Sequence, residues 1–290
     1  MMEQVWDCIV VGGGPAGLSA AVNLRRRGKS VLVLSGGTSL LEKAELVDNY
    51  LGLPGLTGKE MMARFGAHAE AEGVQVRGAR VGNVMPFGGT FMVNAGGDIL
   101  TGKSVVLACG VSKAKPVPGE AEYLGRGVSY CATCDGMLYR GKNVVVWGLS
   151  PDAPAEANFL AGIGCRVTYL AARQSESLAA EIPFVPGVAK AIEGAAAVTA
   201  VRTADGVLAA DGVFVLRPSA PPDALVPGVE TQAGAVKVDG AMRTSIPGLF
   251  CAGDMAGAPY QVAKAVGDGL VAGLHAAEYL DSLAKDGGNT

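Results

Sequence analysis

The sequence predicts an α/β protein made of two related strand–turn–helix units, and three features predict it. The run "DCIVVGGGPAGLSAAVNLRRRGKSVLVLSGG" reads as a hydrophobic strand, a glycine turn, an amphipathic helix and a second strand. The same order returns in "KNVVVWGLSPDAPAEANFLAGIGCRVTYLAAR". Between them stands "KAKPVPGE" (Lys113–Glu120), whose two prolines suit a linker and a domain boundary. Strands alternating with helices in this way build a largely parallel sheet covered by helices.

In the first unit Gly12, Gly14 and Gly17 form GxGxxG directly after a strand and at the opening of a helix, the context that gives this motif its meaning. Gly12 permits the tight turn, Gly14 lets backbone N–H groups approach a pyrophosphate, and Gly17 allows close helix–strand packing. The helix N-terminus then meets the phosphate charge. At the end of the second strand, where a dinucleotide fold usually places an acid to hold a ribose, stands Ser35. A hydroxyl can still bond a ribose but discriminates less sharply, so NAD is not the automatic reading of this first site.

Onward, "AELVDNYLGLPG" (Ala44–Gly55) is a turn-rich loop and "GKEMMARFGAHAEAEG" a helix. Several β-like segments follow, ending in "SVVLACG" (Ser104–Gly110). "PPDALVPG" after Ala220 reads as a return linker, and "IPGLFCAGDMAGAPYQVAKAVGDGLVAGLHAAEYL" as a strand, a Gly-Asp turn and a long amphipathic helix. The 290 residues suffice for one large or two medium domains. No apolar run is long enough to span a membrane. The net charge of −3, with both signs interspersed, argues against a nucleic-acid surface. The N-terminus lacks a basic region and a cleavage site, so no signal peptide is expected and the expected location is cytoplasmic.

Of six cysteines, Cys8, Cys109, Cys165 and Cys251 stand alone and read as small hydrophobes. Cys131 and Cys134 form a CxxC followed at once by Asp135, in "YCATCDGM". A zinc site needs four ligands, and the chain offers no second CxxC and only His68 and His275, so no metal is expected. A CxxC opening a helix has a lowered thiol pKa, which keeps thiolate available. The neighbouring carboxylate can return a proton to a leaving thiolate.

Together, "GGGPAGLSAA", "VDNYLG", "LACG", "GRGVSYCATCDG" and "IPGLFCAGD" resemble the low-molecular-weight thioredoxin reductases, over essentially the whole length. The resemblance implies two Rossmann-like three-layer domains, the second inserted into the first. The FAD-binding domain would comprise residues 1–112 and 237–290, and the inserted domain, residues 113–236, would carry the CxxC. It implies FAD held by Gly12, Gly14, Pro15, Ala16 and Gly17 at the pyrophosphate, with Ser35 at the end of the second strand and Gly110 at the "LACG" strand end. Asn49 would reach the flavin region, Gly253 and Asp254 the ribityl and phosphate end, and Gln261 and Val262 the pyrimidine ring. Cys134 would face the flavin, Cys131 would attack a thioredoxin-like partner disulfide, and Asp135 would shuttle the proton. A homodimer is implied as well. Two departures lie near the flavin edge: Tyr260 where the family usually has Arg, and "TSL" (Thr38–Leu40) where it has Gly-Gly-Gln.

The second unit departs further. Where NADPH-using members read GxGxxA, this chain reads "GLSPDA": Gly148 is kept, Ser150 replaces a glycine, and Pro151 removes an N–H donor. The His-Arg-Arg-x-x-x-Arg clamp for a 2′-phosphate becomes Ala171, Ala172, Arg173 and, at its last position, Ser177. Such recognition rests on charge-assisted Arg contacts. NADPH is therefore not the expected donor. The chain resembles the branch of the family that lacks these motifs, which implies ferredoxin or another flavin as donor, with a second flavin in the inserted domain as one form of this. The alternatives are an NADPH-dependent reductase with a relaxed clamp, a dithiol oxidase of the same fold, and a non-catalytic redox scaffold.

Overall fold

The computed structural model describes residues 4–110, 116–217 and 221–286, with the side chains of Cys134 and Asp286 outside that description. The expected boundary at 112/113 and Lys113–Lys115 of the linker also lie outside the described residues. The chain divides into two compact units, Met1–Val111 with Pro221–Thr290, and Ser112–Ala220.

In chain order the first unit begins with β1 (Val5–Val11), α1 (Pro15–Arg26), β2 (Val31–Ser35), α2 (Gly58–Ala71), β3 (Gln75–Gly78), β4 (Val81–Phe87), β5 (Thr90–Ala95) and β6 (Asp98–Leu107). The second holds β7 (Val128–Ser129), α3 (Ala132–Asp135), β8 (Asn143–Gly148), α4 (Ala153–Gly162), β9 (Arg166–Ala171), β10 (Phe184–Pro186), β11 (Ala191–Gly194), β12 (Val198–Arg202), β13 (Val207–Ala209) and β14 (Gly212–Leu216). The chain then returns with α5 (Pro222–Leu225), β15 (Thr231–Gln232), β16 (Ala235–Val236), β17 (Leu249–Cys251) and α6 (Val262–Asp286).

The first unit's sheet runs β3-β2-β1-β6-β5-β4. β6 is long enough to serve two partners along one edge: its first half pairs antiparallel with β5 and its second half parallel with β17. β1 is central, parallel to both β2 and β6, and its near-continuous apolar run suits a strand covered on both faces. Against one face pack α1 and α6. They approach closely because a Cβ on Gly269 would lie 2.1 Å from the Ala16 carbonyl oxygen, and one on Gly273 2.6 Å from that of Ala20. Thr57 and Glu60 start α2 with a capping box. The opposite face holds a second core that includes Leu225, Val226 and Val229.

That second core moves the return point. Residues read as a linker, "PPDALVPG", form α5 and bury Leu225 and Val226, so the chain rejoins the first unit at 221 rather than 237. Apolar side chains between prolines were enough to anchor the segment.

The second unit has a parallel sheet ordered β10-β9-β8-β14-β7. α3 and α4 cover one face and the antiparallel β11-β12-β13 sheet lies on the other. Both units are thus layered α/β folds of Rossmann type, as the repeated strand–turn–helix pattern predicts.

Candidate active site

In the first unit the glycine turn is sterically fixed. Gly12 has φ +116°, and a Cβ there would lie 2.2 Å from the Ala108 carbonyl oxygen on the chain leaving β6. A Cβ on Gly17 would fall 1.8 Å from the Gly12 oxygen. Gly14, the N-cap of α1, would meet only the Ser39 Oγ, at 3.6 Å, so its outer side is open. Pro15 opens the helix, no side chain caps it, and its first turn carries no acid. Ala16 is buried, its Cβ 2.8 Å from where one would stand on Gly253. Ser35 lies against the turn as well: a Cβ on Gly13 would be 2.7 Å from its Oγ. Gly110, past β6, has φ +70° and open space at its Cβ position.

Gly253 and Asp254 lie in a 3-10 turn, Gly253–Ala256, between β17 and α6. Burial holds the Asp254 carboxyl above the usual carboxylate range; Lys264 opposes this and Asp268 adds to it. Sequence reasoning missed the brace behind this turn. Asp268 Oδ2 accepts the Gly253 N–H at 3.1 Å. Lys264 Nζ donates to the carbonyls of Gly253 and Gly257 at 2.9 and 2.7 Å, and pairs with Asp268 at 2.8 Å. The Lys–Asp spacing of four residues in "KAVGD" was the available signal.

Two expected residues meet directly. Asn49 Nδ2 donates to Gln261 Oε1 at 2.8 Å, just before Val262 opens α6. Ser39, in the departing "TSL" segment, caps a 3-10 turn, Leu40–Lys43, through a capping box with Glu42. Tyr260 is exposed.

These features fit FAD. The uncapped, acid-free α1 terminus suits a pyrophosphate, since the helix end carries positive partial charge and unsatisfied N–H groups. Gly14, without a side chain, leaves the approach to these N–H groups clear. Gly12, Gly14, Pro15, Ala16 and Gly17 would hold the phosphates, and Asp254 the sugar alcohol end.

In the second unit Cys131 follows the end of β7 and is disulfide-bonded. Cys8, Cys109, Cys165 and Cys251 are free. Burial pushes the Cys8 thiol up to about 12 and raises those of Cys165 and Cys251. Ser129 organises the loop: its Oγ donates to Asp135 Oδ2 at 2.7 Å and accepts the Cys131 N–H at 3.1 Å. Thr133 Oγ1 lies 3.5 Å from Cys131 Sγ. Asp135 N–H donates back to the Cys131 carbonyl at 3.3 Å. The helix expected at the CxxC is a single turn, α3.

A buried ion pair stands behind this loop. Arg217 and Glu120, 2 % and 0 % exposed, are bonded through both carboxylate oxygens, one contact at 2.7 Å. Tyr130, immediately before Cys131, donates its hydroxyl to Glu120 Oε1 at 2.9 Å. Arg217 also lies over the Trp147 ring, 5.5 Å from its centroid. Nothing in sequence spacing joins Glu120 to Arg217.

The second turn differs from the first in charge. Asp152 is the N-cap of α4 and Glu156 sits in its first turn. The buried Tyr169 ring from β9 fills the space at the turn, and a Cβ on Gly148 would be 2.2 Å from its hydroxyl oxygen. Burial raises the Tyr169 pKa, with the Asp152 charge adding to it. Beyond β9, Ala172 and Arg173 are exposed, and the Ser177 hydroxyl pairs with that of Ser175 at 2.9 Å.

Comparison with known proteins agrees with this geometry. Residues 6–269 match the family model described as pyridine nucleotide-disulphide oxidoreductase. A thioredoxin reductase from Treponema pallidum is 35% identical, the match covering 97% of this chain and 99% of that protein. The structure is similar to that of a ferredoxin-flavin thioredoxin reductase from Clostridium acetobutylicum, with TM-score 0.90, 40% identity, and coverage of 96% and 99% of the two chains. A thioredoxin reductase from Gloeobacter violaceus matches with TM-score 0.83 and 35% identity, over 96% and 95% of the chains. The resemblance read from the motifs therefore holds along both units, and the chain belongs to the pyridine nucleotide-disulphide oxidoreductase family, as an FAD-dependent oxidoreductase of the thioredoxin reductase kind.

Proposed function

We propose that this enzyme passes electrons through FAD to a Cys131–Cys134 disulfide and on to a thioredoxin-like protein disulfide, with ferredoxin rather than NADPH as the donor. The first unit is the FAD-binding domain and the second carries the dithiol. The carrying observation is the contrast between the two helix N-termini. The first turn of α1 has no acid, whereas α4 begins with Asp152 and Glu156. Two carboxylates at a helix N-terminus neutralise the partial charge that would attract a phosphate. Pro151 removes a donor there and Tyr169 fills the turn. A second flavin would bring its own phosphates to the same helix end, so a protein donor docking from outside suits the charges better. The ferredoxin-flavin enzyme from Clostridium acetobutylicum, 40% identical, supports this choice.

Bound FAD supplies reversible two-electron exchange, which reduces the disulfide to a dithiol. The rest falls to the chain. Ser129 holds Asp135 and the Cys131 amide together, so the acid stays beside the thiols as they change protonation. The Cys131 thiolate attacks the partner disulfide, forming a mixed disulfide and expelling a partner thiolate, which takes a proton. Asp135 relays that proton. Cys134 then attacks Cys131 sulfur, releasing the second partner thiol and restoring the intramolecular disulfide. Met137 and Leu138, exposed just after the CxxC, offer apolar surface to a protein substrate. A homodimer in the cytoplasm completes the reading.

Anaerobic titration of the purified flavoprotein tests the donor. Photoreduced ferredoxin should bleach the flavin absorbance while excess NADPH leaves it yellow. Rapid bleaching by NADPH would overturn the donor assignment and favour a conventional NADPH-dependent enzyme.

A further inference from the structure

Glu156 reaches from the first turn of α4 into the segment that bears the disulfide. Its Oε2 accepts the backbone N–H of Ala132 at 3.2 Å. Ala132 is fully buried and directly follows Cys131. At a helix start the amides of the second and third residues can support a thiolate at the cap, while that of the first, here Ala132, is left for another acceptor. Glu156 is that acceptor, so a carboxylate stands one residue from Cys131.

Among the described residues, other titratable groups stand on the same loop and behind it. Asp135, on the same loop, is itself an acid and is held by Ser129. Tyr139, which follows, has its pKa raised by burial and by Asp135. The Arg217 cation on the far side is matched by Glu120, which Tyr130 also bonds.

We propose that Glu156 is a positioning residue of the dithiol site: it fixes the first turn of α3 through Ala132, and its charge disfavours the Cys131 thiolate. The proposal rests on the reading of Cys131 as the outer, nucleophilic cysteine. It adds a second carboxylate to the site, distinct in role from Asp135. Asp135 exchanges protons, while Glu156 sets the pH at which Cys131 becomes nucleophilic.

Glu156→Gln separates charge from geometry, because the amide oxygen can still accept the Ala132 N–H. Flavin-loaded wild type, Glu156→Gln and Glu156→Ala are reduced with a phosphine, freed of reductant and treated with iodoacetamide across a pH series. Peptide mass spectrometry then follows Cys131 alkylation. On the acid side of the profile Glu156→Gln should react about three- to tenfold faster than wild type, as expected for losing one like charge near a thiol. The curves should converge at alkaline pH. A Glu156→Gln profile that superimposes on wild type overturns the proposal, even if Glu156→Ala differs. Wild-type alkylation that falls on Cys134 in place of Cys131 overturns instead the assignment of the outer thiol.

Discussion

Asn49 and Gln261, 212 positions apart, share a side-chain hydrogen bond of 2.8 Å in the first unit. The bond ties the loop after β2 to the start of α6, the two segments expected beside the flavin. Because it is exposed, it adds little to folding, and its worth lies in presenting both carboxamides. Asn49→Ala should therefore weaken FAD binding by about three- to tenfold, one hydrogen bond's worth, with little change in Tm. Fluorescence titration of the apoprotein with FAD checks this.

Gly17→Ala should give protein that retains no flavin and is less stable than wild type by more than about 2 kcal/mol. The new methyl would stand 1.8 Å from the Gly12 carbonyl oxygen, a backbone atom that cannot move aside cheaply. Flavin content after gel filtration and urea unfolding measure the two effects.

The Lys264 brace gives a graded outcome. Its ammonium bonds two carbonyls and Asp268 while largely shielded from solvent. Lys264→Met should cost on the order of 2–3 kcal/mol of apoprotein stability and speed FAD release, because charge-assisted bonds are lost and Asp268 keeps its charge. Denaturant unfolding and stopped-flow flavin release report them separately.

Asp254 predicts a pH dependence. Its folded pKa is raised, so between the unfolded value near 3.8 and the folded value the native state holds more protons than the unfolded state. The ionised carboxylate thus destabilises the apoprotein at neutral pH, and the penalty fades as pH falls through the folded pKa. Asp254→Asn should raise apoprotein Tm at pH 7, lose that gain below about pH 4, and bind FAD less tightly. Thermal scans over pH check the sign.

Arg217→Met should cost about 3–5 kcal/mol, because it strands a buried carboxylate at Glu120. Adding Glu120→Gln should recover much of the loss. A double-mutant cycle in urea measures the coupling.

Local sequence carried the strand–glycine–helix openings and the CxxC, because their physics lies within a few consecutive residues. Gly12, Gly14 and Gly17 stand at the turn the motif describes. What stayed hidden depends on the fold bringing distant residues together. Glu120 and Arg217 are 97 positions apart, and Glu156 reaches Ala132 across 24. Tyr169 reads as an ordinary strand residue until its ring is seen at Gly148. The segment after Ala220 looked like a linker because its prolines hid the buried Leu225 and Val226.

On the proposed reading, electrons pass from flavin to the Cys131–Cys134 pair. Wild type and Cys134→Ser are purified anaerobically, their flavin is quantified, and each is reduced with photoreduced ferredoxin before free thiols and thioredoxin turnover are measured. Flavin is expected in both proteins, with a new pair of thiols and turnover in wild type and no turnover in Cys134→Ser. A wild-type protein without flavin, or a Cys134→Ser variant that turns over thioredoxin as wild type does, would contradict it.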